Sequence, residues 1–249
     1  MNFSVCVDAV YYGHDFYESV QEIAENGISN IEFWTWWDKD LKRLLELKEK
    51  YHLNIVAFCT KFYSLVNPDE REDYLNAFAQ TVEVARQLGC RQIITKPGDS
   101  TRESFEVQYQ NMLETLRAAL KIAERNDITI LLEPVNSTLE APNTFLDNSA
   151  LGFRIVDELN SEHCKLLYDI YHMQIDEGDI LRRVSGNIAK IGHFHAAGIT
   201  DRHELEDGEI NYPYLFDQIE KLGYKRYTGL EYFPIEAPIK GLRAVICQK

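Results

Sequence analysis

Short runs of β-branched, aliphatic and aromatic residues alternate along the chain with longer stretches whose apolar positions recur at helical spacing. Eight of the short runs read as strands: Phe3–Val7, Asn30–Phe33, Asn54–Phe58, Gln92–Thr95, Thr129–Glu133, Lys165–Asp169, Lys190–His195 and Tyr227–Glu231. The intervening segments carry helical patterns. Tyr74, Phe78, Val82 and Ala85 lead to a stop at Gly89; Met112, Leu116, Ala119, Leu120 and Ala123 form a second stripe; Phe216, Ile219 and Leu222 precede Gly223. Strands this short and apolar, each followed by a helix, predict parallel pairing buried on both faces. Eight such units without a break in composition predict a single (β/α)8 TIM barrel over residues 1–249. An open doubly wound sheet is the rival, and the lack of a G-x-G-x-x-G turn after the first strand counts against it.

Length agrees with that reading, since 249 residues is about the usual size of such a barrel, roughly 250. The formal net charge of −14 narrows the partners. So acidic a surface repels phosphate backbones and anionic lipids, which argues against nucleic acid and membrane. Five scattered cysteines, Cys6, Cys59, Cys90, Cys164 and Cys247, form no C-x-x-C pair and suit a reducing compartment. The start, MNFSVCVDAV, has no basic region followed by a long apolar stretch, so a cytoplasmic location is expected.

In a barrel the carboxyl ends of the strands face the active site. Strands five to eight end in Glu133, Asp169, His195 and Glu231. Any one of these acids has a structural explanation, such as a strand-end carboxylate held by backbone amides. Their convergence asks for a cation, because three carboxylates brought together without one repel strongly. Carboxylate oxygens with one imidazole suit one divalent ion, Mg2+, Mn2+ or Co2+. Trp34, Trp36 and Trp37 after strand two, with Tyr11, Tyr12, Phe62 and Tyr63 after strands one and three, are candidates for an aromatic wall of the mouth, or for packing beneath its loops. Lys96, after strand four, is either a substrate-facing cation or a solvated loop lysine.

The segments ILLEPVNS, YDIYHMQ, HFHAAGITDRHELEDGEINYPYLF and GLEYFP resemble the hydroxypyruvate isomerase family, within the wider xylose-isomerase-like group of barrels. The resemblance implies metal ligation by Glu133, Asp169, His195 and Glu231, with Glu133 and Glu231 doubling as the acid/base pair. It also implies substrate contacts from His172 and Arg202. The chain departs from the family at His193-Phe194-His195, where hydroxypyruvate isomerases show H-x-Q, and at Phe233, where a lysine is frequent. Histidine at position 195 is what related sugar epimerases show. The expected activity is therefore isomerisation of a short hydroxy-carbonyl compound, hydroxypyruvate to tartronate semialdehyde in type, through an enediolate. A ketose 3-epimerase or a 2-oxo-tetronate isomerase is the near alternative.

A non-catalytic sugar-binding barrel and an apurinic-endonuclease-like phosphodiesterase are more remote alternatives. The latter chemistry calls for more histidines and a basic face. The small-molecule partner is a hydroxy-keto acid or a sugar, and the family together with the aromatic early loops allows a homo-oligomer.

Overall fold

The computed structural model describes residues 1–206 and 208–246; Cys247 lies outside them. Eight strands, β1 (Asn2–Cys6), β2 (Asn30–Phe33), β3 (Asn54–Cys59), β4 (Gln92–Thr95), β5 (Thr129–Leu132), β6 (Cys164–Asp169), β7 (Ile191–Ala196) and β8 (Tyr227–Leu230), pair in parallel in sequence order. β8 returns to β1 and closes the barrel.

Alternation along the strands sorts the side chains into two cores. In β5, Ile130 and Leu132 belong to the large apolar cluster, whereas Leu131 sits in a small one with Val56, Ala57, Cys59, Ile94 and Leu167. The small cluster fills the barrel, and the large one packs the strands against the helices. Glu133 is two residues beyond Leu131 and so shares its inward phase. The same step of two carries Leu167 to Asp169 in β6 and His193 to His195 in β7. The strand that fills the barrel thereby places its chemistry at the mouth.

The helices follow from the stripes noted above. Tyr74, Phe78, Val82 and Ala85 are buried on helix Arg71–Leu88, and Gly89 takes the left-handed conformation (φ 70°) that ends it. Helix Phe105–Arg125 buries Met112, Leu116, Ala119, Leu120 and Ala123. Helix Tyr212–Lys221 stops just before Gly223 (φ 87°).

β1, β5 and β8 each end one residue before the sequence reading placed their ends. Val7 opens a single helical turn, Val7–Val10, instead of ending β1. Asp8 in that turn accepts the Trp34 amide at 2.7 Å and binds Lys39 at 3.0 Å, tying the first two mouth loops together. Glu133 and Glu231 each lie one residue past their strands. Both are still held in the ladder, by Glu133 N–H to Thr95 at 3.1 Å and Glu231 N–H to Ala196 at 3.1 Å.

Gly229 of β8 marks where the barrel interior is tightest. A methyl group there would fall against Glu32 Oε1 and within 2.7 Å of His195 Cδ2. Glu32 cannot withdraw easily, because Ser4 Oγ donates to it at 2.8 Å and two histidines abut it. Gly229→Ala is expected to destabilise the protein by about 1–3 kcal/mol through overpacking. The reading is a lower urea midpoint at an unchanged denaturant slope; an unchanged midpoint would show that the strands yield here.

Candidate active site

The loop after β5, the end of β6, the end of β7 and the loop after β8 bring Glu133, Asp169, His195 and Glu231 together. One ligand atom from each lies within 4.8 Å of the others, and all four residues are buried. Strand register explains much of this: Asp169 stands opposite His195, and His195 opposite Gly229, two residues before Glu231. His195 Nδ1 lies 3.0 Å from Glu231 Oε2 and 3.6 Å from Glu133 Oε1. That nitrogen is buried and lacks an aligned hydrogen-bond partner.

These residues fit a divalent ion. Ligand atoms of one ion at bond lengths of about 2.0–2.5 Å must lie within roughly 4–5 Å of one another. Three carboxylates and an unpartnered imidazole nitrogen meet that condition here, and the donor set is oxygen-rich.

Beneath the four lies a residue that the sequence reading did not single out. Glu32, from the middle of β2, is almost fully buried; His193 Nε2 lies 2.9 Å and His195 Nε2 2.8 Å from its two oxygens. His193 and His195 share the inward phase of β7, as alternation requires. Burial opposes the Glu32 charge, but the two histidines outweigh it and bring its pKa down to about 2. With Nε2 of His195 against Glu32, Nδ1 is the nitrogen left for the mouth, the carboxylate–histidine arrangement that orients metal-binding imidazoles. A glutamate inside the apolar run N-I-E-F was the available signal.

Arg202 sits in the same pocket with its backbone in the left-handed region (φ 59°). Its Nη2 binds Asp169 Oδ2 at 3.0 Å and also Glu231 Oε2, and its Nη1 binds Glu140 at 2.9 Å. Its guanidinium lies over the Tyr171 ring, 4.8 Å from the centroid. His172 Nε2 stands 3.4 Å from Asp169 Oδ2. Lys96 follows Thr95 as Glu133 follows Leu132 in the neighbouring, register-matched strand. It is exposed at the rim, with its ammonium 5.9 Å from the Phe62 ring centroid.

Charge and burial compete within this pocket. For Asp169 desolvation dominates and lifts the carboxyl to about 7 despite Arg202. Glu231 goes the other way: burial opposes its charge, but His195 and Arg202 together hold it well below the usual carboxylate range. His195 is raised well above its ordinary value, burial being overcome by Glu231 and Glu32. His172 is pushed far down, by burial first and then by the positive charges of Arg202 and Lys96. Lys96 is raised, because Glu133 and its neighbours outweigh desolvation.

The aromatic candidates divide between the mouth and packing elsewhere. Trp34 reaches the site, its indole N–H donating to Glu231 Oε1 at 2.5 Å. Trp36 donates instead to Thr81 Oγ1 at 3.0 Å and packs towards helix Arg71–Leu88. Tyr11 is buried in the large core. Trp37 and Phe62 meet edge to face at 5.7 Å on the exposed rim, and Tyr12 meets Phe233 at 5.6 Å. His203 and Glu204 brace the loop, bonding the backbone of Phe233 and Ile235. A groove of about 860 Å³ runs past Phe3, Tyr212 and Phe216, and none of the four mouth residues lines it. Among the described residues no helix is long and apolar enough to cross a membrane.

Comparison with known proteins bears on this arrangement. The chain is 35% identical over 179 residues to the 2-oxo-tetronate isomerase of Cupriavidus necator, covering 70% of this chain and 67% of that one. It is 29% identical over 253 residues to the hydroxypyruvate isomerase of Escherichia coli K12, covering 98% and 97%. The crystal structure of an AP endonuclease, family 2, from Brucella melitensis superposes with a TM-score of 0.92 at 24% identity over all of both chains, a likeness of fold alone. A family model described as xylose isomerase-like TIM barrel matches residues 20–248, and the chain belongs to that family.

Proposed function

We propose that the protein is a metal-dependent isomerase of a short hydroxy-keto acid, of the hydroxypyruvate to tartronate semialdehyde type. The observation that carries the reading is the convergence of Glu133, Asp169, His195 and Glu231 within 4.8 Å, beside Arg202. Curated relatives named for hydroxypyruvate and for 2-oxo-tetronate support the same substrate class.

In this reading the four mouth residues hold one divalent ion, Mg2+, Mn2+ or Co2+. Bound there, it supplies electrostatic stabilisation of substrate oxygens, which lowers the pKa of the adjacent C–H. The chain's own residues do the rest. A carboxylate, Glu133 or Glu231, takes a proton from the C3 hydroxymethyl carbon, leaving an enediolate. A proton then returns at C2, from the same carboxylate or the other, while the hydroxyl proton passes from O3 to O2. The product is the 2-hydroxy-3-oxo acid, and no atom is gained or lost. Glu231 suits the base role because His195 and Arg202 keep it charged. Lys96 and Arg202 supply the local positive charge that an anionic substrate needs on a chain of net charge −14. That requirement favours a carboxylate-bearing substrate over a neutral ketose.

The test is deuterium uptake followed by NMR. The protein is stripped with chelator, resupplied with Mg2+, and incubated in D2O with hydroxypyruvate, 2-oxo-tetronates and ketoses. Metal-dependent exchange at carbon next to a carbonyl, fastest in an acid, is the expected result. Exchange confined to a ketose would move the assignment to epimerase chemistry; stoichiometric metal binding with no exchange would remove this substrate class.

A further inference from the structure

Asn136 lies three residues after Glu133, in the loop that leaves β5, and is fully buried. Its side-chain carbonyl accepts the backbone N–H groups of Leu139 and Glu140, both at 2.9 Å. An amide oxygen committed to two backbone donors settles which end of the side chain faces the other way. The NH2 end faces His172 Nδ1 at 2.7 Å. Since Asn136 Nδ2 has only protons to offer, Nδ1 must accept. A second proton on the ring would set N–H against N–H in a buried contact. The ring therefore carries its single proton on Nε2, the nitrogen 3.4 Å from Asp169 Oδ2 at the substrate side.

We infer that Asn136 is a positioning residue that fixes His172 as the neutral Nε2–H tautomer, a hydrogen-bond donor aimed at a substrate oxygen beside Asp169. The donor role rests on the isomerase reading above; the tautomer does not. A neutral imidazole held this way offers a hydrogen bond to an oxygen as negative charge develops on it, and being hard to deprotonate, it keeps its proton. It also selects its partner. A carbonyl or alkoxide oxygen satisfies Nε2–H, whereas an ammonium or amide N–H in that place leaves two donors facing each other. The site is thereby biased to an oxygen with free lone pairs at that position. Asn136 reaches this role through local chain geometry: the turn that consumes its carbonyl follows directly on the loop that presents Glu133.

The experiment compares wild type with Asn136→Asp, which keeps an oxygen for the Leu139 and Glu140 amides but turns the group facing Nδ1 into an acceptor. Long-range 1H–15N correlation spectra on the Mg2+-loaded protein, assigned with His172→Gln, report which ring nitrogen is protonated. Wild type should show His172 protonated at Nε2 alone, and Asn136→Asp should show a proton on Nδ1. Titration calorimetry with Mg2+ should give affinities within about threefold of each other, since no mouth carboxylate is touched. The value of kcat/KM for the fastest panel substrate should fall about ten- to a hundredfold, the range for losing one hydrogen bond to a developing charge. Asn136→Ala, which removes the donor without imposing an acceptor, should lose less and show a mixed tautomer. A wild-type His172 protonated at Nδ1 overturns the inference. So does an Asn136→Asp protein that changes tautomer and keeps full turnover, or one that loses turnover with the Nε2–H tautomer intact. If wild type turns over no panel compound, the isomerase reading falls, while the spectra still decide the tautomer.

Discussion

Glu231→Gln should lower turnover at least a thousandfold while leaving the protein folded. General acid–base groups contribute about 10²–10⁴ in rate, and Glu231 has a second task in the proposed site, as one of four donors to the ion. Four groups converge on its carboxylate: the Trp34 indole, the Arg202 guanidinium, His195 Nδ1 and, at 3.8 Å, the Cys6 thiol. They define both its position and its charge. Glutamine keeps an oxygen for Trp34 or Arg202 but loses the negative charge and one acceptor. Arg202 retains Asp169 and Glu140 as partners, so the buried guanidinium is not stranded. Far-UV circular dichroism and the unfolding midpoint should therefore move little, while Mg2+ affinity weakens. Glu231→Asp provides the contrast: it preserves charge but withdraws it by one methylene, and should lose less than the glutamine variant. Turnover near the wild-type rate in Glu231→Gln would remove Glu231 from the proton transfer, whatever happened to metal binding.

The sequence made Glu231 visible for a physical reason. In a parallel barrel a strand is apolar on both faces until it reaches the mouth, so a charged residue closing an apolar run stands out. That logic found Glu133, Asp169, His195 and Glu231, and the structure brings the four together. The eight strands were legible on the same grounds, from their short apolar runs, as were the helical stripes now on Arg71–Leu88, Phe105–Arg125 and Tyr212–Lys221. Glu32 escaped because it lies in mid-strand, where the pattern is read as core; only the closed barrel sets it under His193 and His195. Asn136 escaped because its effect depends on which end of an amide faces a ring, a fact of three-dimensional hydrogen bonding. The choice between wall and packing for the aromatic residues stayed open for a related reason. Position after a strand places a side chain near the mouth but not its direction, and Trp36 turns to Thr81 while Trp34 turns to Glu231.

Mg2+ or Mn2+ should bind more tightly as pH rises from 6 to 8, by about a hundredfold or more. A metal donor must be deprotonated, so each proton displaced on binding makes affinity change about tenfold per pH unit. In the metal-free protein, burial holds the Asp169 carboxyl at about 7, and Glu231 and Glu32 raise His195 well above its ordinary value. Above pH 7 the ion displaces the proton of His195; below it, that of Asp169 as well, so the dependence should steepen on the acid side. Glu231 contributes nothing in this window, because its pKa is depressed. The stability of the metal-free protein should run in the opposite sense. Asp169 and His195 both have folded pKa values above their unfolded ones, so the metal-free fold loses stability as pH rises through those values. Adding ion at a hundred times its Kd restores about 2.7 kcal/mol, and at fixed ion concentration the gain in Tm should widen from pH 6 to pH 8. Calorimetry in buffers of different ionisation enthalpy counts the protons released and checks the sign directly. Release of about one proton at pH 8 and more at pH 6 is the expected result; no release at either pH would mean that Asp169 and His195 stand ready deprotonated, and that Arg202 holds more of the site's charge than its contacts imply.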